Sequence, residues 1–237
     1  MLSRKGTGML GGTLELLAPP VLVREKAFEH VRDAIISGRL APGTRLIERE
    51  LCEAMGISRA SVREVIRRLE AERLVDVSPR RGPSVVILTP KQAGEIYEIR
   101  AILEGLLIRR FTEVATDAEV TTLGDIFDEV KRAAAAEAVP EIVTLMHRFN
   151  DYLVAVARHG IAHDLLNQLN ARISWLRVRA MAKPGRLGAS IAEISAVLDA
   201  VKRRDAEEAA RKIMISVSNA RDAAIEQLVG GEPHGSQ

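Results

Sequence analysis

Apolar residues return every three or four positions along most of the chain, and the one stretch that abandons this rhythm covers residues 75–88. From about residue 21, Ala27, Val31 and Ile35 share one helical face, and Gly38 closes that helix as a C-terminal glycine cap. The segment LAPGTRL, residues 40–46, turns at Pro42-Gly43, and ERELCEAMG, residues 48–56, supplies a short second helix with Leu51, Cys52 and Met55 apolar. Ile57 occupies the next turn, and Ser58 stands where a hydroxyl caps a third helix. In that helix Val62, Val65, Ile66 and Leu69 make one stripe, while Arg59, Arg63 and Arg67 climb another. Val75 and Val77 then alternate with polar residues, residues 85–88 are apolar and mostly β-branched, and SPRRGP between them is turn chemistry carrying two arginines. Two short helices joined by a tight turn, followed by a basic hairpin, predict a winged helix-turn-helix.

After Thr89-Pro90, a capping residue with proline at the first helical position, the pattern is helical throughout. It predicts helices over about 90–114, 117–138, 140–158, 161–181, 189–203 and 206–229, with Thr116-Asp117, Pro140, His159-Gly160 and Lys183-Pro184-Gly185 as punctuation. The expected architecture is mostly α: a disordered leader (1–20), a winged-helix domain (21–88), an all-helical bundle of about six helices (89–229) and a disordered tail (230–237).

Composition sharpens this picture without redirecting it. A chain of 237 residues with 47% hydrophobic content has material for one or two domains with real cores. The net charge is only +2, yet residues 1–89 carry 15 Lys+Arg against 11 Asp+Glu, leaving 19 against 21 downstream. A basic front and a slightly acidic rear point to two jobs. The single cysteine, Cys52, rules out an internal disulfide and suits a reducing cytoplasm as a small buried apolar residue. No apolar run approaches the ~18 residues of a membrane span, so a cytoplasmic protein is expected. Arg4 and Lys5 resemble the start of a signal peptide, but glycines and Glu15 interrupt what would be its apolar core.

The basic helix is the candidate chemistry. A helix in this setting enters the major groove with its N-terminal residues at base edges, which here are Arg59, Ser61 and Arg63. The planar fork of arginine reaches both acceptors of guanine, and Ser61 is short enough for a phosphate or a base. Arg45 and Arg49 are placed to grip the DNA backbone. Arg80 and Arg81 at the wing tip reach toward the flanking groove, with Gly82 keeping the turn tight.

These residues resemble the winged-helix domain of GntR-family transcription regulators. The likeness runs through Val31-Arg32-Asp33-Ala34-Ile35, Gly38, Leu40, Pro42-Gly43, Leu46, Glu48-Arg49-Glu50-Leu51, Ser58-Arg59, Val62-Arg63, Leu69 and Arg81-Gly82. YEIRAILEG (97–105) and LDAVKRRDAEEAA (198–210) resemble the FCD effector-binding domain of the FadR subfamily. The resemblance implies DNA contacts at Arg49, Arg59, Ser61 and Arg63, with a wing contact near Arg81 and Gly82. It also implies a divalent metal held by an Asp and a His one turn apart and two further His, positions that fall here on Met146, Asn150, Ile194 and Ser216. These are poor ligands, so no metal and no cofactor are expected. A His147/Asp151 pair rescues the site only if its helix rotates by about 100°, and His159 and His163, flanking Gly160, read as surface or capping residues. Without metal an acidic effector leans on arginine. Arg100 is the leading candidate, Arg172 and Arg179 are weaker, Asn150 and Ser216 orient a polar effector, and Trp175 lines the cavity.

The reading that follows is a homodimeric DNA-binding regulator, a repressor responsive to a small molecule, with an inverted-repeat operator in double-stranded DNA. An enzyme finds little support, since no nucleophile-and-base set or phosphate-binding glycine loop is present. A protein-interaction module that docks through the winged helix is the remaining rival.

Overall fold

The computed structural model of the chain describes residues 20–230. The expected leader and tail lie outside this stretch except for Pro20 and Gly230, each of which stands at a helix end. Three helices, α1 (Pro20–Ile36), α2 (Glu48–Met55) and α3 (Arg59–Ala71), precede a hairpin of β1 (Val75–Ser78) and β2 (Gly82–Val85). Six more follow: α4 (Pro90–Val114), α5 (Asp117–Ala135), α6 (Val139–Ala157), α7 (Gly160–Met181), α8 (Arg186–Lys202) and α9 (Ala206–Gly230).

The front domain closes on the stripe that the sequence foreshadows. Val62, Val65, Ile66 and Leu69 of α3 meet Ala27, Phe28, Val31 and Ile35 of α1 in one buried cluster, capped by Leu46, Leu74, Val75 and Val85. Side-chain clamps fix α1 on α3: Arg68 lies 3.8 Å from the centre of the Phe28 ring and donates to both carboxylate oxygens of Glu25, and Arg32 reaches Glu72 at 2.8 Å. Cys52 is half-buried beside this core rather than fully enclosed, because α2 buries no residue completely.

The wing departs from its expected form. The second strand is Gly82–Val85, not residues 85–88, and Ser78 pairs with Gly82 so that Pro79, Arg80 and Arg81 form the tip. Gly82, at φ +69°, makes the left-handed entry into β2 that a side chain would resist. Val77 is 41% exposed, so the alternation that suggested a buried Val77 fails where the hairpin leaves the domain. Arg45 bridges to Ser84 on the other side of β2, with Leu46 N donating to Pro83 O and Val85 N to Thr44 O. The turn after α1 is therefore a third edge of the sheet.

In the rear domain, capping boxes at Thr89/Gln92 and Thr116/Glu119 start α4 and α5. Helix α5 stops at Ala135, three residues short of the expectation, because Glu137 adopts φ +54° and the chain turns back with Ala138 N on Ala133 O. Helix α8 starts earlier than expected, at Arg186, since Gly185 at φ +78° supplies its N-cap. The main core gathers Phe111, Phe127, Phe149, Leu123, Ile126 and Val201. A second core joins Tyr97 and Ile96 of α4, Ile173 and Leu176 of α7, and Val217 and Ala224 of α9. Helix α7 also packs on α1, and its Ala171 belongs to the winged-helix core, so one helix touches both domains.

Candidate nucleic-acid interface

Helix α3 begins where its cap dictates. Ser58 accepts from the Ser61 N–H at 3.2 Å, which places Arg59 at the first position of the helix, exposed and without an ion-pair partner among the described residues. The Ser61 hydroxyl lies 3.0 Å from that of Ser58, so it meets any ligand as part of the cap. One turn on, Arg63 is 63% exposed, and its Nε stands 3.1 Å from both oxygens of Glu48 at the start of α2. The hydrogen bond to Glu48, reinforced by its charge, raises the Arg63 pKa above its ordinary value. Arg67 pairs with Glu64 at 2.6 Å and Arg49 with Glu53 at 3.4 Å, both exposed pairs of the kind that contributes little stability and exchanges readily for another anion.

The arginines of the wing divide into two roles. Arg45 donates through Nε and Nη2 to the Arg81 carbonyl, at 3.0 and 2.6 Å, and so braces the tip while remaining exposed. Arg80 and Arg81 are exposed at that tip, and Gly82 makes the turn that carries them. Between wing and helix runs an open groove of about 440 Å³ lined by Arg63, Arg67, Glu48, Val77 and Pro83. Arg63 and Arg67 of α3 thus line one groove with Val77 and Pro83 of the wing, interleaved with Glu48 and Glu70.

The comparisons with known proteins agree with this geometry. Residues 23–85 match the model for bacterial regulatory proteins of the gntR family, and residues 95–218 match the FCD domain. The chain belongs to the GntR family of bacterial regulatory proteins and carries an FCD domain. An HTH-type transcriptional regulator of Bacillus subtilis, YdhC, is 28% identical over 188 residues, covering 79% of this chain and 84% of that one. The gluconate operon transcriptional repressor of Bacillus licheniformis is 30% identical over 139 residues, spanning 59% of this chain and 57% of the repressor. Among solved structures, McbR/YncC of E. coli covers 86% of this chain and 98% of its own with a TM-score of 0.72, at 22% identity, a likeness of fold. The relatives are transcription regulators rather than enzymes, and no described helix is long and apolar enough to cross a membrane.

The FCD domain of this GntR protein places the expected effector residues in separate surroundings. Arg100 is buried and donates to Glu104 at 2.7 Å, with its guanidinium 4.9 Å from the Tyr97 ring centre. Ser216 belongs to a separate network in which the Glu193 carboxylate accepts from Ser216 Oγ at 2.8 Å, Asn219 Nδ2 at 2.9 Å, and Arg186 Nη1 and Nη2 at 3.0 and 3.1 Å. Burial pushes Glu193 up, but the hydrogen bonds from Arg186, Asn219 and Ser216 outweigh it and hold the carboxyl below its ordinary pKa. Trp175 packs, partly buried, on the second core, its Cβ 3.9 Å from where a side chain at Gly38 would begin. Asn150 is half-buried on α6, next to the core residue Phe149.

Nor do the residues suit the family's metal. Met146 and Ile194 pack against the main core, and the Ser216 hydroxyl is engaged by Glu193. His147 and Asp151 are both exposed, since rotating them inward would expel Leu145, Phe149 and Leu153. Among the described residues no group of three His, Cys, Asp or Glu side chains is placed to hold a metal. His159 is instead the N-cap of α7, its Nδ1 accepting from Ala162 N at 3.3 Å, while His163 pairs with Asn167. Arg179 is exposed; Arg172 is held below its ordinary pKa first by burial and then by Arg73 of the winged-helix domain. Sequence reading missed Arg177, Arg186 and Glu193, although the seven-residue spacing of Arg186 and Glu193 on one helix was a usable signal.

Proposed function

We propose that this protein is a transcriptional repressor that binds an inverted-repeat operator as a homodimer and changes its hold on DNA when its FCD domain takes a small molecule. The observation that carries the reading is the set of exposed arginines on the winged helix, Arg59 and Arg63 on α3 and Arg80 and Arg81 at the wing tip. Its ion pairs are solvent-exposed, so phosphate can replace Glu48, Glu53 or Glu64 at small cost. Arg59 and Arg63 would read base edges in the major groove, Arg49 would hold the backbone, and Arg81 would enter the flanking groove.

The homodimer is supported by an apolar stripe on α4. Ile99, Ile102 and Leu106 are 50%, 63% and 38% exposed, and Met214 of α9, 40% exposed, packs beside Gly105 on the same side. A monomer gains nothing from this stripe in water. Two copies would bury it isologously, with Arg109, Arg110 and Glu113 on its rim. Helix α7 supplies a route from FCD domain to DNA, because it contributes to the second core and to the winged-helix core at once. An effector acts by favouring one arrangement of that junction over another.

Titration of fluorescent duplexes at several salt concentrations tests the reading. Selective binding whose affinity falls steeply with salt is expected, at a log–log slope of about −0.9 for each phosphate neutralised. Indifference to duplex DNA at low ionic strength would leave the winged helix as a protein-docking surface.

A further inference from the structure

We propose that Arg186 is a built-in cation of the FCD domain: between α8 and α9 its guanidinium supplies the positive charge that the family resemblance assigns to a divalent metal, so the domain is held together by its own ion pair. The side chains at the four implied ligand positions do not suit a metal. Met146 and Ile194 pack against the main core, while Asn150 and Ser216 carry only an amide and a hydroxyl. Beside two of those positions stands an acid already paired with a cation. Glu193 directly precedes Ile194, and its carboxylate accepts from Ser216 Oγ at 2.8 Å.

The pair is closed on itself. Arg186 is the first residue of α8, after Gly185 at φ +78°. A cation there faces the positive end of the helix dipole, an unfavourable place unless an acid offsets it. Arg186 reaches along two turns of its own helix, about 10 Å of rise. It meets Glu193 fork to fork, Nη1 on Oε1 at 3.0 Å and Nη2 on Oε2 at 3.1 Å. Each of these oxygens also takes a bond from α9: Asn219 Nδ2 donates to Oε1 at 2.9 Å and Ser216 Oγ to Oε2 at 2.8 Å. An ionised carboxylate offers about four acceptor sites, and protein donors fill them all, leaving none for a metal ion. The side chains of Arg186 and Glu193 are only 10% and 18% exposed, so water weakens their attraction little, and loss of either would strand a poorly solvated charge. Arg186 is therefore a positioning residue: it holds Glu193, and Glu193 ties α8 to α9 through Ser216 and Asn219. Helix α9 packs in turn on α4 and α7. Whether the protein represses transcription does not bear on this pair, which is tested without DNA.

Full-length protein is dialysed against EDTA, then supplied separately with zinc, nickel or manganese chloride, and its Tm is followed. The wild type is expected to keep one Tm throughout. Arg186→Lys, which retains the charge, should lose less Tm than Arg186→Gln, which retains only hydrogen-bonding capacity. The place of the charge is read by calorimetric zinc titration of two variants that carry Met146→Asp, Asn150→His, Ile194→His and Ser216→His together, one with Arg186 kept and one with Arg186→Met. The kept guanidinium should weaken zinc binding by at least about tenfold, because two cations in one site repel each other. An ion pair that served packing alone, away from the implied metal position, would leave the two titrations alike. The proposal is overturned if EDTA lowers the wild-type Tm and a metal restores it, or if Arg186→Lys is as unstable as Arg186→Gln. It is equally overturned if the folded four-ligand variant with Arg186→Met binds zinc no better than its counterpart with Arg186. Where the four-ligand variants do not fold, the EDTA and Arg186→Lys measurements decide.

Discussion

The Arg63 guanidinium is shared between the two carboxylate oxygens of Glu48, its Nε 3.1 Å from each. This pair joins α2 to the basic face of α3, and it leaves the side chain proposed to read DNA already paired with an acid. If Arg63 contacts DNA as proposed, Glu48 competes with it for the guanidinium.

Glu48→Gln should free Arg63 and remove a negative charge from the surface. Affinity for duplex DNA is expected to rise, with a salt slope steeper by about one contact. Fluorescence anisotropy against a duplex selected from a random library measures both. Weaker binding in this variant would mean that Glu48 positions Arg63 rather than restraining it.

Arg59 and Arg49 should fail in different ways. Arg59→Ala is expected to cost about 1–3 kcal/mol on the preferred sequence and little on unrelated DNA, flattening discrimination. Arg49→Ala should weaken all duplexes alike and reduce the salt slope by about 1. Parallel titrations of selected and scrambled duplexes distinguish these outcomes.

Glu193 sets a pH dependence with a definite sign. Its folded-state pKa is depressed, so the stability it contributes is present above the unfolded carboxylate value near ~4.3 and is lost as pH falls through the lower, folded value. Glu193→Gln should lower Tm at neutral pH and flatten the acid limb of the Tm profile, since the group no longer titrates. Scanning calorimetry between neutral and acid pH reads both changes.

Ile102→Asp places a charge in the exposed stripe of α4, where Ile102 is 63% accessible and supports little of the monomer's own core. Sedimentation equilibrium is expected to show dissociation into monomers with Tm nearly unchanged, because charge at a buried apolar interface is costly while charge on a free surface is not. A variant that stays dimeric places the interface elsewhere.

Much of the fold was legible in the residues because it rests on local physics. The α3 stripe of Val62, Val65, Ile66 and Leu69, the Ser58 cap and the Thr89-Pro90 start of α4 all appear where spacing and capping put them. The wing was less legible: Val85 to Leu88 resembles a strand by composition, yet pairing with β1 and Arg45 draws the ladder back to Gly82–Val85. Helix α5 looked longer because its alanines favour helix, and a backbone turn at Glu137 overrides that preference.

The sequence alone determined the order of elements, the basic face of α3 and the family to which the chain belongs, since periodicity, caps and turns act over a few residues. Only tertiary structure decided that Arg63 faces Glu48, that Arg45 braces Arg81, that Ser216 is held by Glu193, and that the Trp175 Cβ lies beside Gly38. These pairings bring together residues 15 to 137 positions apart, across distances that local spacing does not encode. Their partners are set by how the helices pack.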